Sequence, residues 1–407
     1  MFNIRIHDNI APLGLSQFDS ENYRINSNSD APDAILLRSN RLSSVEIEPS
    51  VLAIARAGVG VNNIPIDICT ERGIVVFNTP GANANSVKEL VIAALLLSSR
   101  RICDGISWLS SQTDVSKLTE TIERKKSSFA GSEISGKELG VIGLGFIGVL
   151  VANAAEQLGM RVSGYDPFIS VRAAWGLSSG VRRCESLGQL MANSDYISLH
   201  VPLTKDTENL INRDSLQRVK PGLRVLNFAR DGLVETGEVR MALKNGALSC
   251  YITDFPVPEL LGERGVISIP HLGASTTEAE ENCAVMAVNQ LKDFLENGNI
   301  GNSVNFPDCS MESTGSGRLI IANKNVPNML TQILSVLAQE NLNIEDMVNR
   351  HQNQIAYNII ELSIPCLAPD SIRQLRAIDG VIMIRQICRD ALVQQEYASY
   401  HDQKSGK

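Results

Sequence analysis

The sequence lacks a long apolar run, an excess of positive charge and any cysteine pattern that marks a metal site. Its longest uninterrupted apolar stretch, residues 90–97, is far shorter than the roughly 20 residues that a membrane-spanning helix needs. The first ten residues, MFNIRIHDNI, carry charge and polarity where a secretory signal would be apolar. We therefore expect a cytoplasmic protein with no membrane partner.

The charge balance and the cysteines exclude two further classes of site. The net charge is −8, whereas nucleic-acid binding needs a large basic face, so no nucleic-acid partner is expected. The eight cysteines include no C-x-x-C pair, and no cysteine–histidine cluster has zinc spacing. We expect no bound metal and mostly buried free thiols in a reducing compartment.

The pattern of apolar segments predicts an α/β fold. The length of 407 residues, with 43% apolar, is ordinary for a globular chain of two to three domains. Short apolar strands alternate with helical segments, which predicts parallel sheets with crossover helices. The strands are expected at 2–6, 34–38, 52–57 and 74–79, and then at 138–144, 161–166, 196–201, 224–229, 250–255 and 265–270.

The connecting segments also carry signals. Ser86 and Glu89 form a capping-box pattern that predicts a helix start, and the polar residues 108–136 are expected to form a connection. A helix is predicted from about Thr276 to Glu296. The stretch 307–317 is rich in serine and glycine and is predicted to be a linker. The remainder follows the order of a ferredoxin-like βαββαβ unit.

The strongest local signal is the glycine-rich turn GLGFIG at 143–148, which follows a predicted strand and opens a predicted helix. Gly143 permits a tight turn, Gly145 lets the backbone approach a pyrophosphate, and Gly148 lets the helix pack on the strand. Asp166 ends the next strand and can accept hydrogen bonds from a ribose, which favours NAD over NADP. A plain glycine turn in an ordinary βαβ unit is the alternative.

Candidate catalytic residues follow later strands of the same sheet. Arg230, Asp254 and His271 each lie where a predicted strand ends, and Glu259 follows five residues after Asp254. An imidazole suits proton transfer at neutral pH, and a carboxylate beside it favours its charged form. A guanidinium can grip a carboxylate with two N–H groups. Singly each could be an ordinary surface residue, but together they indicate hydride transfer on an anionic substrate.

Several stretches together resemble the D-isomer-specific 2-hydroxyacid dehydrogenase family over residues 1–305. The matching stretches are RAGVGVNN at 56–63, VIGLGFIG at 141–148, LHVPLTKDT at 199–207, NFARDGLV at 227–234 and PHLGAST at 270–276. The resemblance implies an NAD-dependent enzyme with a Rossmann-type doubly wound parallel sheet inserted into a flavodoxin-like substrate domain. Asn62 stands where the family has aspartate.

The family's motifs imply roles for individual residues. The arginine of N-x-A-R-x-G binds the substrate carboxylate and corresponds to Arg230, and the histidine of P-H-x-G is the acid–base and corresponds to His271. Its carboxylate partner corresponds to Glu259, although the usual D-V-F-x-x-E-P reads DFPVPEL here. The implied cofactor contacts are Gly143, Gly145, Phe146, Ile147, Gly148, Asp166, His200, Val201, Pro202, Thr207, Ala229, Asp254, His271 and Gly273.

Within the family, the members that oxidise 3-phospho-D-glycerate are the most similar. Arg38, Ser39 and Asn83 resemble their substrate-side loops, where an arginine and an asparagine bind the phosphate. With Arg230 and His271 they form the expected substrate-binding set. The implied product is 3-phosphohydroxypyruvate, in the first step of the phosphorylated L-serine pathway.

The C-terminal unit resembles the ACT regulatory domain, which in such enzymes pairs with its copy and binds L-serine. The family's ligand loop H-x-N-x-P-G reads NKNVPN here, so Asn325 and the later Asn343 carry over, while Asn323 replaces histidine and Asn328 replaces glycine. The resemblance implies an L-serine effector and a homodimer or homotetramer. A dimerisation domain without an effector is the alternative.

The expected domains are a substrate-binding domain at 1–97 and 276–306, an NAD-binding domain at 98–275, the linker 307–317, an ACT domain at 318–390 and a tail at 391–407. Two other functions stay open. One is a D-2-hydroxyacid dehydrogenase of the glycerate, hydroxypyruvate or lactate type. The other is an NAD-sensing co-repressor of the same fold, against which the set Arg230, Glu259 and His271 weighs.

Overall fold

Strands and helices alternate through most of the chain, as the sequence predicts. The computed structural model describes residues 1–25, 29–113, 116–313, 317–340 and 342–388. The first sheet contains β1 (Phe2–Ile6), β2 (Tyr23–Ile25), β3 (Ala34–Leu37), β4 (Ala53–Arg56) and β5 (Val75–Phe77). The second contains β6 (Glu138–Ile142), β7 (Arg161–Tyr165), β8 (Arg182–Arg183), β9 (Tyr196–Leu199), β10 (Leu223–Asn227), β11 (Leu248–Thr253) and β12 (Val266–Ser268). The third contains β13 (Gly317–Lys324), β14 (Ile344–Gln352), β15 (Ile355–Leu362) and β16 (Val381–Cys388).

Thirteen α-helices connect these strands within the described ranges. They are α1 (Pro12–Leu15), α2 (Ile66–Glu71), α3 (Ala84–Arg100), α4 (Ile102–Ser110), α5 (Leu118–Lys125), α6 (Phe146–Gln157), α7 (Val171–Gly176), α8 (Leu187–Asn193), α9 (Arg213–Leu216), α10 (Thr236–Asn245), α11 (Thr277–Asn297), α12 (Met329–Gln339) and α13 (Pro369–Ala377). By its contacts the chain divides into two compact units. The first unit contains residues 1–82 and 280 onward, and the second contains residues 83–279.

The first unit holds a five-stranded parallel sheet in the order β2-β1-β3-β4-β5, an order found in flavodoxin-like doubly wound sheets. All four residues of β3 are buried, because helices and loops cover both faces of a parallel sheet. On one face Leu36 packs in the same core as Val288 and Leu291 of α11. On the other face Leu37 packs in the core that contains Cys69 of α2.

The second unit holds a seven-stranded parallel sheet in the order β12-β11-β10-β9-β6-β7-β8. Read from β8, this is the Rossmann strand order with one strand added. All five residues of β6 are buried at the centre of the sheet. Helices α3 and α6 cover one face with Val91, Leu95 and Val151. Helices α8 and α10 cover the other face with Leu190 and Val239.

The C-terminal strands form an antiparallel sheet in the order β14-β15-β13-β16, with the predicted βαββαβ connections. Successive side chains of β13 point to opposite faces of the sheet. Leu319 and Ile321 pack with α12 and α13, whereas Ile320 and Ala322 belong to the core that also contains α11. The antiparallel sheet is therefore packed within the first unit.

The predicted domain boundaries stay a prediction, and parts of them cannot be compared. The tail at 391–407 and residues 314–316 of the predicted linker lie outside the described residues. Within that linker, Cys309 is buried and exchanges backbone hydrogen bonds with Ile300. The second unit begins at Asn83 and contains all of α3.

Two local predictions are wrong. Helix α3 begins at Ala84 rather than after Ser86, because the Ser86 hydroxyl donates to the carbonyl of Gly273 instead of capping a helix. The stretch 108–136 is not only a connection, since it contains the end of α4 and all of α5. The sequence predicts mostly buried free thiols, and six of the eight cysteines are free, whereas Cys366 and Cys388 form a disulfide.

The described ranges contain neither a candidate membrane-spanning helix nor a candidate metal cluster. None of the helices there is both long enough and apolar enough to cross a membrane. The same ranges hold no group of three or more histidine, cysteine, aspartate or glutamate residues arranged to hold a metal ion.

Candidate active site

The glycine-rich turn adopts the strand–turn–helix form that the sequence predicts. Gly143 follows β6 with a φ of 89°, which L side chains rarely adopt. A side chain at Gly148 would come within 1.9 Å of the Gly143 carbonyl oxygen, so only glycine lets α6 approach the strand this closely. A side chain at Gly145 would meet nothing within 4 Å. The turn therefore leaves open space at Gly145, beside the N-terminus of α6.

The first helical residues, Phe146 and Ile147, are preceded by Gly145, and no side chain caps the helix. The amide donors of the first turn of α6 are thus available, and their dipole favours an anion. A glycine cradle with available amides fits the pyrophosphate of NAD.

Asp166 fixes the loop after β7 to the glycine-rich turn. Its Oδ2 accepts a 2.8 Å hydrogen bond from the backbone N–H of Leu144. Its Oδ1 accepts a 2.8 Å hydrogen bond from the N–H of Phe168. Each carboxylate oxygen has a second lone pair, so the carboxylate can still accept a ribose hydroxyl.

The end of β9 lies directly against the glycine-rich turn. A side chain at Gly143 would meet the carbonyl oxygen of His200 at 2.6 Å and Val201 at 2.8 Å. His200 Nε2 lies 2.8 Å from the Ser198 hydroxyl, and its Nδ1 is buried without a partner. Burial lowers the pKa of His200 to about 3, so the ring is neutral near pH 7. Thr207 donates to the carbonyl of Pro202 at 2.6 Å and so closes the following loop.

Arg230 follows β10 on a loop that a buried amide holds in place. Asn227 is 1% exposed, donates to the carbonyl of Arg230 at 2.9 Å and accepts from the N–H of Ala229. The Arg230 guanidinium is exposed and donates to the carbonyl of Ala229 at 2.6 Å. No carboxylate among the described residues forms an ion pair with it, so its fork is free for a substrate carboxylate.

His271 lies beside Asp254 and Phe255. The rings of Phe255 and His271 have centroids 4.7 Å apart. Asp254 is 1% exposed, its Oδ2 accepts from the N–H of Gly273 at 3.1 Å, and its Oδ1 is buried without a partner. Burial raises the pKa of Asp254, while the charge of nearby His271 opposes that rise. This unit thus brings an exposed imidazole close to a buried carboxyl group.

The structure does not bring Glu259 into an ion pair with His271. Glu259 lies in a short 3₁₀ turn, Pro258–Leu260, and is exposed. Its backbone carbonyl accepts a hydrogen bond from Arg240. Within the described ranges no ion pair of 4.0 Å or less joins the two side chains. The predicted role of Glu259 stays a prediction.

Asn83 precedes α3, where its Oδ1 is buried without a partner. An unpaired buried acceptor costs free energy unless a ligand or water supplies a donor. The position is thus consistent with the substrate contact predicted for Asn83.

In the first unit, Arg38 and Ser39 follow β3 and already hold carboxylates of the same chain. The Asp8 Oδ2 accepts from the N–H groups of Arg38, Ser39 and Asn40 at 2.8–2.9 Å. Although partial burial opposes ionisation, these donors hold the pKa of Asp8 below its usual range. The Arg38 guanidinium forms a 2.7 Å ion pair with Glu280 of α11.

The predicted effector residues lie at two ends of the C-terminal sheet. Asn323 is 2% exposed, donates to the carbonyl of Lys324 and accepts from Asn358. Asn325 is exposed and follows β13. Asn343 is also exposed but precedes β14, whose first residue pairs with the last residue of β15. Since Asn323 pairs with the other end of β15, roughly 20 Å separates the two ends.

The sequence interpretation missed several residues that shape these sites. Asp8 and Glu280 contact the loop and guanidinium of Arg38, Asn227 braces Arg230, and Ser198 binds His200. Asp8 follows a predicted strand, which was an available signal. Glu280 lies among several acidic residues of α11, and nothing in that run distinguishes it.

A glycine-rich turn in a Rossmann-ordered sheet, with an acid at the end of the next strand, defines a dinucleotide-binding protein. Residues 92–273 match the family described as D-isomer specific 2-hydroxyacid dehydrogenase, NAD binding domain. The chain is 33% identical over 356 residues to D-3-phosphoglycerate dehydrogenase of Haemophilus influenzae, covering 84% of this chain and 82% of that one. The chain belongs to the D-isomer-specific 2-hydroxyacid dehydrogenase family.

The share of the relative's own length that this chain covers varies among the other relatives. D-3-phosphoglycerate dehydrogenase of Archaeoglobus fulgidus is 38% identical over 285 residues, which cover 68% of this chain and 52% of that one. The chain therefore spans about half the length of this relative. A solved structure of NAD+-bound 3-phosphoglycerate dehydrogenase from Entamoeba histolytica is 25% identical, with a TM-score of 0.58, covering 75% of this chain and 98% of that one.

Proposed function

We propose that this protein oxidises 3-phospho-D-glycerate to 3-phosphohydroxypyruvate with NAD+, the first step of phosphorylated L-serine biosynthesis. The observation that carries the proposal is the similarity to the Haemophilus influenzae D-3-phosphoglycerate dehydrogenase across 82% of that enzyme. The glycine cradle, the Asp166 carboxylate and the available amides of α6 support NAD as the cofactor.

The roles of the residues follow from their chemistry. When bound, NAD+ supplies the acceptor for the hydride that leaves C2 of the substrate. His271 accepts the proton of the C2 hydroxyl, and the Arg230 guanidinium binds the substrate carboxylate through its planar fork. Arg38 binds the phosphate after exchanging its ion pair with Glu280. Asp254 and Glu259 are the two carboxylates that could hold the imidazolium form of His271.

We also propose that the C-terminal unit is an ACT domain that pairs with its copy and binds L-serine. Its βαββαβ topology supports this proposal. The match to the Haemophilus influenzae enzyme is too long to end before β13. Because Asn325 and Asn343 lie at opposite ends of one sheet, a site made of both needs two copies of the chain, which supports a homodimer or homotetramer.

One observation favours a second candidate function. The Arg38 guanidinium already binds Glu280, which would suit a D-2-hydroxyacid dehydrogenase whose substrate has no phosphate. An initial-rate panel of 3-phospho-D-glycerate, D-glycerate and D-lactate, with NAD+ or NADP+ and with or without L-serine, separates the two functions. We expect the highest kcat/KM for 3-phospho-D-glycerate with NAD+. A higher value for an unphosphorylated acid would reject the proposal.

A further inference from the structure

An arginine outside the glycine-rich motif lies over the ring that opens α6. Phe146, the first residue of α6, is 49% exposed. The Arg172 guanidinium, near the start of α7, lies over this ring with its Cζ 5.6 Å from the centroid. Both residues belong to the second unit. This contact places a cation beside the N-terminus of α6, which the glycine-rich turn opens.

The position of Arg172 is fixed by a short chain of contacts. Asp166 binds the N–H groups of Leu144 and Phe168 and so ties the loop after β7 to the glycine-rich turn. The Ser170 hydroxyl then accepts from the N–H of Ala173 and caps α7. The first turn of α7, which carries Arg172, is therefore anchored next to the glycine-rich turn.

Among the described residues, the charge of Arg172 has no acidic partner. No hydrogen bond or ion pair within the described ranges involves its side chain, and the ring of Phe146 is its one described partner. A dinucleotide brings two negative charges to this turn, yet residues 143–157 contain no lysine or arginine. The turn and α6 offer only amides and the helix dipole to these charges.

We propose that Arg172, held on the Phe146 ring, binds the pyrophosphate of NAD. The ring attracts the guanidinium through its quadrupole and limits the conformations of a long side chain. A planar guanidinium can then donate two hydrogen bonds to phosphate oxygens. The proposal concerns cofactor binding alone and does not depend on which 2-hydroxy acid is the substrate.

The test measures nucleotide binding without substrate, by NADH fluorescence and by calorimetry with ADP-ribose and adenosine. Arg172→Gln should weaken the binding of NADH and ADP-ribose about 5- to 20-fold, the range of a partly exposed charged hydrogen bond. The affinity for adenosine should not change. Phe146→Leu should give a smaller loss, because the cation remains but its platform is gone. Added salt should weaken NADH binding less in Arg172→Gln than in the unmodified protein.

Arg213→Gln is the matched control, because Arg213 is an exposed arginine of the same unit that pairs with Glu238 at 2.9 Å. Thermal unfolding of both variants checks that the fold is kept. Equal NADH affinity in the two variants would overturn the proposal. A loss of affinity for NADPH that greatly exceeds the loss for NADH would also overturn the proposal, since that result would assign Arg172 to a 2′-phosphate.

Discussion

At the scale of single residues, buried and paired carboxylates lie beside the groups for which we propose chemical roles. Asp254 faces His271 from a buried position, and Asp8 holds the backbone of Arg38 and its two neighbours. Asp8 accepts three backbone hydrogen bonds, whereas Asp254 accepts one from Gly273 and keeps a buried oxygen without a partner. Glu280, by contrast, is 42% exposed and contacts Arg38 through one ion pair.

The first prediction concerns the two carboxylates that we propose could support His271. Asp254→Asn should move the acidic limb of the kcat/KM profile to lower pH, because a negative charge near His271 is lost. The measurement is kcat/KM from pH 5 to 9. The sequence-based role of Glu259 requires the same direction of shift in Glu259→Gln. A limb that moves in neither variant would remove both carboxylates from this role.

The second prediction concerns the pair of Arg38 and Glu280. Removing the carboxylate charge in Glu280→Gln should lower the KM for 3-phospho-D-glycerate up to about fivefold, since an exposed ion pair stabilises by about 1 kcal/mol at most. The KM for D-glycerate should not change, because that acid has no phosphate. Steady-state rates with both substrates check this, with Glu281→Gln as the neighbouring control. A higher KM for the phosphorylated substrate would mean that Glu280 positions Arg38 instead of competing for it.

At the scale of elements, the sequence predicted long apolar strands well and short or polar elements poorly. Every predicted strand of the two parallel sheets has a counterpart, because buried strands such as β3 are apolar throughout. Strands β2 and β8 have three and two residues, which is too short for a periodic signal. Helix α5 is polar on most sides, so its sequence resembles a loop.

The sequence also predicted only part of the candidate site, namely the residues that follow strands. The glycine turn, Arg230 and His271 lie directly after apolar strands, so their place at the edge of the sheet follows from the pattern. Contacts between distant segments carry no such signal. Asp8 with Arg38 and Arg172 with Phe146 each depend on how separate loops fold together.

The third prediction concerns the disulfide, which links the loop before α13 to the end of β16. It closes a loop of 22 residues, for which the chain-entropy estimate is about 3 kcal/mol. Cys388→Ser should lower the free energy of unfolding by about this amount in denaturant titrations. Dithiothreitol should lower the free energy of unfolding of the unmodified protein by the same amount. It should have no effect on the variant. Equal stability of the reduced and oxidised protein would argue against the bond.

At the scale of the whole molecule, the antiparallel sheet shares a core with the first sheet. Tyr357 and Ile359 of β15 pack in the same cluster as Phe77, Phe294 and Phe306. The Tyr357 hydroxyl also donates to the carbonyl of Gly298 at 2.7 Å. A shared core predicts that the sheet does not unfold independently of the first unit.

Arg385 of β16 adds a polar connection to this core. Its guanidinium lies over the ring of Phe294, with Cζ 5.2 Å from the centroid. It donates to the carbonyls of Phe294 and Leu295 in the last turn of α11. Burial lowers the pKa of Arg385, yet the cation gains from the negative end of the helix dipole.

The fourth prediction follows from this connection. Arg385→Ala should lower the free energy of unfolding by about 2 kcal/mol, because two carbonyls at the end of α11 lose a charged donor. Because the core is shared, calorimetry should show the transition of the first unit moving as a whole rather than splitting in two. Arg373→Ala is the control, since Arg373 of α13 is 61% exposed and, among the described residues, forms an ion pair only with Asp370. If Arg385→Ala instead produced a separate low-temperature transition, the antiparallel sheet would be an independent domain.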